Sequence, residues 1–265
     1  MLLQDRIAVI YGGGGAIGGA MARVFAREGA RVFLAGRNPA KQAAVARDIH
    51  AAGGRTESAE LDVLEAGAVE AHAAAVAAAA GGHLDIAVNA IGIAHVQGVP
   101  LLDLSVGDFF LPVDVYVRST FITAKAAAKH MVARKTGVII NLTTPAAQMP
   151  GPGFLGHNAA AGAVEAMTRH LAGELGDSGI RVLCLRSHAI PDAVEHSHSR
   201  IVFGEAAAKA GVSIPQMLQG AAQATLLKRL PSLQQVAEMA AFMASDKADA
   251  TTGAIINLTS GFLLD

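Results

Sequence analysis

Residues 12–19 read Gly-Gly-Gly-Gly-Ala-Ile-Gly-Gly and follow directly on the apolar run 7–11. A loop this free of side chains lets backbone N–H groups and the start of the next helix meet an anion. Gly13, Gly15 and Gly18 also fit G-x-G-x-x-G, and a strand before with an apolar helix after is the setting in which that pattern holds a dinucleotide pyrophosphate. Gly12, Gly13, Gly15, Ile17 and Gly18 are the candidate phosphate cradle. A flexible surface turn would explain the glycines but not their flanks. Further on, Leu34-Ala35-Gly36-Arg37-Asn38 ends the second strand, and no acid appears before Asp48. A cofactor with free ribose hydroxyls wants a carboxylate there, whereas Arg37 suits a 2′-phosphate. NADP(H) is therefore expected rather than NAD(H), against the alternative that Arg37 is a solvated strand-end charge.

Other reactive side chains are sparse. His188, His196 and His198 offer an H-x-H spacing, but no cysteine or second regular pair accompanies them, so no metal is expected and they read as solvent-facing or substrate-loop histidines. The single cysteine, Cys184, cannot form an internal disulfide and lies in an apolar run that reads as a buried strand. A reducing compartment fits.

The elements that must position these groups follow a βα alternation. Apolar, β-branched runs at 7–11, 31–35, 56–61, 86–90, 138–142, 181–185 and 254–258 alternate with alanine-rich helical stretches near 17–29, 39–52, 65–80, 105–134, 156–177 and 232–245. Such alternation predicts a parallel sheet covered by helices on both faces. The stretch 187–220 is the irregular one, with a helical segment around 205–210, and is the candidate lid or substrate loop of a single domain spanning 1–265.

Composition removes other classes. Lys plus Arg at 21 against Asp plus Glu at 22 gives a net charge of −1, so no field of one sign is available for nucleic acid or an anionic membrane. The alanine run 73–80 is too short and too weakly hydrophobic to span a bilayer, and a cytoplasmic location is expected. An apolar content of 52% excludes disorder. Aromatics amount to nine Phe, two Tyr and no Trp.

With Gly12-x-x-x-Ala16-x-Gly18, Leu61-Asp62-Val63, Asp85-Ile86-Ala87-Val88-Asn89-Ala90-Ile91-Gly92 and Thr252-Gly253-Ala254-Ile255-Ile256-Asn257 in this order, nearly the whole chain resembles the short-chain dehydrogenase/reductase superfamily. The resemblance implies a doubly wound, seven-stranded Rossmann fold, Asp62 and Val63 near the adenine, and Asn89 with Gly92 in the turn lining the cofactor. It also implies homodimers or homotetramers paired through the helices near 105–134 and 156–177. The family's Asn, Ser, Tyr and Lys tetrad is a different matter. Tyr116 aligns with the asparagine and Thr144 with the serine, and Thr144 keeps a hydroxyl. Where the family reads Y-x-x-x-K, this chain reads His157-Asn158-Ala159-Ala160-Ala161. Only Tyr11 and Tyr116 exist, and neither has a lysine at the longer spacing of the enoyl reductase branch. Tyr11, at a strand end, is expected to cover the cofactor.

His157, with an ordinary pKa near 6.5, is a credible proton donor without a lysine to tune it. Arg186 is expected either to supply the missing cation near the nicotinamide ribose or to pair with a carboxylate such as Asp192. The reading is an NADP(H)-dependent oxidoreductase for a small carbonyl or alcohol substrate, with Thr144, His157 and Tyr116 as the reacting groups. The alternatives are a catalytically inactive nucleotide- or ligand-binding homologue and a non-redox acid/base enzyme.

Overall fold

Short apolar runs form the central strands, buried on both faces, while the edge run 55–60 is mostly polar and exposed. In the computed structural model, which describes residues 1–195 and 197–264, these are β1 (Ile7–Tyr11), β2 (Arg31–Gly36), β3 (Arg55–Glu60), β4 (Ile86–Asn89), β5 (Gly137–Thr143), β6 (Ile180–Ser187) and β7 (Ile255–Leu258). They pair in parallel in the order β3-β2-β1-β4-β5-β6-β7. The helices are α1 (Ala16–Arg27), α2 (Pro39–Ala51), α3 (Ala66–Ala79), α4 (Val106–Met131), α5 (Leu155–Leu175), α6 (Pro191–Val194), α7 (Ser199–Lys209), α8 (Ile214–Ala224) and α9 (Leu233–Ala244). The expected doubly wound α/β architecture is present, with element ends displaced by less than a turn.

Alternation along each strand splits the core into two layers. Ile10, Leu34 and Ile140 meet Met21, Phe25 and Val236 on one face, and Val9, Phe33 and Ile139 meet Val69, Ala127 and Met131 on the other. β1 lies between β2 and β4, so the chain reverses its strand order there and the crevice opens beyond the carboxyl ends of these two strands. The glycine loop stands in that crevice. Gly12 has φ +83°, and a Cβ on it would overlap the Ala90 carbonyl, while a Cβ on Gly18 would overlap the Gly12 carbonyl.

Two expectations need correction. The stretch 187–220 is mostly helical rather than irregular: β6 runs through Ser187, Pro191 starts α6, and a Ser213–Gln216 capping box starts α8. Arg186 neither reaches toward a cofactor nor pairs with Asp192. It is buried at 1% exposure, and its Nε and second terminal nitrogen lie 2.7 Å and 2.9 Å from the Glu165 carboxylate on α5. The buried faces of β6 and α5 meet there, so Arg186 pairs with a carboxylate as expected, but with Glu165.

Removing the carboxylate takes its two hydrogen bonds from that buried cation. Glu165→Ala is expected to lower unfolding stability by about 3–5 kcal/mol, read as a reduced urea midpoint with an unchanged m-value. A loss below about 1 kcal/mol would show that the pair is replaceable by local rearrangement.

Candidate active site

The cofactor end is built from backbone. Gly12 and Gly15 N–H groups donate to the Ala35 and Gly12 carbonyls, which closes the turn after β1. α1 begins at Gly15 with no side-chain cap and no acid in its first turn. Its dipole and free N–H groups are left for an anion, which fits a dinucleotide pyrophosphate. Arg37 is exposed beyond β2 and makes no ion pair among the described residues, while the neighbouring Asn38 caps α2. An arginine left uncommitted at this strand end fits a 2′-phosphate. Asp62, half-buried after β3, accepts from the Leu64 N–H at 3.0 Å, and Val63 is buried in the core. Asn89 anchors the turn after β4: its amide nitrogen lies 3.3 Å from Ser119 Oγ and 3.2 Å from Thr120 Oγ1 on α4, and its Oδ1 accepts from Ile91 N–H. A Cβ on Gly92 would overlap the His198 imidazole, which lies across this turn from the segment before α7.

The reactive end gathers at the carboxyl edge of β5. Thr144 Oγ1, just past that strand, accepts from the Ala146 N–H at 3.3 Å and lies 3.2 Å from His157 Nε2. His157 occupies the first turn of α5, and its Nδ1 is closed off from solvent without a hydrogen-bond partner. Burial pushes its pKa down to about 3, and His95 and His198 add to the effect. The expectation of an unperturbed histidine near 6.5 is thereby corrected, because a buried imidazolium would lose its hydration with no carboxylate to replace it. Tyr116 Oη accepts from the Ile93 N–H at 3.4 Å, and its ring stands edge-on to His157 at 6.5 Å. Burial raises its pKa to about 12, so the phenol keeps its proton at neutral pH.

His95 belongs to this cluster and carried no signal in the sequence, being a lone histidine in the loop after β4. It is 7% exposed and its ring stacks on His157 at 4.7 Å, with planes inclined by 20°. Burial also lowers the pKa of His198, to about 4, helped by His95 and Lys41. His188 packs edge-on against Phe262 and accepts from the Ala189 N–H through Nδ1. His196 falls outside the described residues. Tyr11 does not cover the crevice. It is fully buried under the sheet with its ring 6.1 Å from His72, because the last position of β1 points to the α3 and α4 face. Among the described residues, no group of three His, Cys, Asp or Glu side chains could hold a metal ion, and no helix is long and apolar enough to cross a membrane.

A model of the enoyl-(acyl carrier protein) reductase family matches residues 14–263. The chain is 30% identical over 254 residues to oxidoreductase UcpA of Salmonella typhimurium, covering 95% of this chain and 92% of that one. It is 31% identical over 267 residues to galactitol 2-dehydrogenase of Rhizobium johnstonii, covering 98% and 96%. A solved short-chain type dehydrogenase/reductase from Mycobacterium ulcerans superimposes with a TM-score of 0.86 at 28% identity, covering 99% of this chain and 91% of that one.

The buried imidazole makes stability depend on pH. Since the folded-state pKa of His157 lies below its ordinary 6.5, the unfolded chain binds the proton first, so its contribution is complete above about pH 6.5 and is lost as pH falls toward 3. The melting temperature is expected to drop between about pH 7.5 and 5, and less steeply in His157→Phe. An identical slope in the variant would mean that His157 titrates as in solvent.

Proposed function

The chain belongs to the short-chain dehydrogenase/reductase superfamily, and from that premise we propose that it is an NADP(H)-dependent oxidoreductase in which Thr144 and His157 replace the usual proton-transfer groups. The observation that carries this reading is the 3.2 Å contact between Thr144 Oγ1 and His157 Nε2, beside a phosphate cradle with an uncapped helix start. The glycine loop and α1 hold the pyrophosphate, Arg37 the 2′-phosphate, and the residues around Asp62 and Gly92 the adenosine and its continuation. Bound nicotinamide supplies hydride exchange. The protein supplies the proton path.

A neutral imidazole is a proton acceptor. In alcohol oxidation the substrate hydroxyl donates to Thr144 Oγ1, whose own proton passes to His157 Nε2, so the resting state is ready to react. Carbonyl reduction runs the same path backwards and needs His157 protonated first. Tyr116, which keeps its proton, donates to a substrate oxygen or back to the cluster. With the histidines uncharged, the site favours an uncharged hydroxyl-bearing substrate. The similarity to galactitol 2-dehydrogenase supports a polyol or a related ketose as the first class to try.

The second reading is a homologue that binds the nucleotide without turnover. It is favoured by the low basicity of His157 and by the small, buried Ala161 one turn further along α5. For assembly, exposed Phe110 and Phe121 on α4 support pairing of chains through the α4 and α5 faces, which light scattering would measure.

NADPH is expected to quench or shift protein fluorescence on titration, with Arg37→Ala weakening it about tenfold and leaving NADH nearly unchanged. Thr144→Val and His157→Ala are each expected to cut turnover by about 10²–10⁴ with cofactor affinity retained. Reduction should accelerate as pH falls below neutral, while oxidation stays flat. Full turnover in His157→Ala removes its role, and NADPH binding with no turnover across polyol and carbonyl panels favours the second reading.

A further inference from the structure

The proton acceptor is held by a chain of contacts that reaches the lid. His95 Nδ1 lies 3.1 Å from the Ile93 carbonyl, which only accepts, so Nδ1 carries the hydrogen and Nε2 is left to accept from the Gln97 side-chain amide at 3.0 Å. Both nitrogens are therefore committed, and the ring plane is fixed. Gln97 is tied in turn, because its backbone carbonyl accepts from Lys209 Nζ of α7 at 2.7 Å. The same loop is fastened at Gly98, whose N–H donates to the Gly153 carbonyl at 2.7 Å, just ahead of α5. Among the described residues, the His157 ring has one hydrogen bond, from Nε2 to Thr144, and its Nδ1 has none. Beyond that contact, packing fixes the ring about the Cβ–Cγ bond. The groups facing it are His95 from the loop after β4, Tyr116 from α4, Thr144 after β5 and His198 ahead of α7.

Resting on the redox reading above, we propose that His95 is a positioning residue: its stacked, doubly hydrogen-bonded ring holds the His157 imidazole with Nε2 on Thr144, and Gln97 transmits the seating of α7 to that pair. His95 takes no part in proton transfer, since both of its nitrogens are engaged, with Ile93 and Gln97. Its contribution is alignment, for which a misplacement on the order of 1 Å costs up to about a hundredfold in rate.

The test uses the full-length protein and three variants: His95→Ala, which removes the ring, His95→Phe, which keeps the ring without its nitrogens, and Gln97→Ala, which leaves the packed ring but cuts the tie. NADPH titration and circular dichroism check that each is folded and binds cofactor. His95→Ala is expected to lower kcat for alcohol oxidation about 10- to 100-fold with unchanged cofactor affinity, His95→Phe to recover most of it, and Gln97→Ala to fall between. Ring-nitrogen NMR of His157 gives a readout independent of turnover: one tautomer in the wild type and in His95→Phe, a mixture in His95→Ala. If the wild type shows no turnover but the NMR pattern holds, the redox reading fails and the positioning stands. Wild-type kcat and an unaltered His157 signal in His95→Ala overturn the proposal, as does loss of both in His95→Phe. Should His95→Ala fail to fold, Gln97→Ala with wild-type behaviour in both readouts overturns the transmission from α7.

Discussion

Every strand of the sheet points the same way, so every loop that follows a strand emerges along one edge. The glycine loop after β1, the Asn89 turn after β4, Thr144 after β5 and the segment that leads from β6 into α6 share that edge for this reason alone. The reversal of order between β1 and β4 then opens a crevice at its centre. Parallel pairing needs long crossovers, and the helices that serve as crossovers return the chain with their N-termini at the same edge. α1 brings its uncapped first turn there, and α5 brings His157. One directional constraint thus assembles both the anion end and the proton end of the site.

The chemistry at that edge is set by burial more than by charge. Among the described residues, three imidazoles and a phenol lie together with no carboxylate hydrogen-bonded to them, and each has its charged form disfavoured. The formal charges that the interior does contain are placed elsewhere. Arg186 and Glu165 close on each other behind the site, and Asp85 at the opposite end of the sheet takes the Ile7 N–H with Arg6 and Arg134 nearby. An uncharged pocket of hydrogen-bonding rings is a setting for moving a proton between oxygen and nitrogen, and it leaves the cofactor's own charge as the dominant local field.

Strands, long helices and glycine loop were legible because their signals are local: apolar runs, helical spacing and side-chain-free turns. The resemblance placed Thr144 and His157 opposite each other before their distance was known. The capping box at Ser213 and Gln216 was not read, and the stretch containing it was expected to be mainly irregular. Arg186 was misjudged because a strand-end cation and a core cation look alike until the face of the strand is fixed. Tyr11 was misjudged for the same reason, since its direction depends on the register of β1 within the two-sided core.

The amino-acid sequence by itself determined the parallel α/β fold, the glycine loop after β1, the arginine at the end of β2 and the presence of His157 and Ala161 four residues apart. These follow from residue type and spacing, which the chain carries without folding. Only the tertiary structure decided that His157 is neutral, that His95 stacks on it, and that Arg186 is spent on Glu165. Ionisation and partnership depend on what surrounds a group in space, and His95, Tyr116, Thr144 and His198, the four residues that face His157, come from separate segments of the chain.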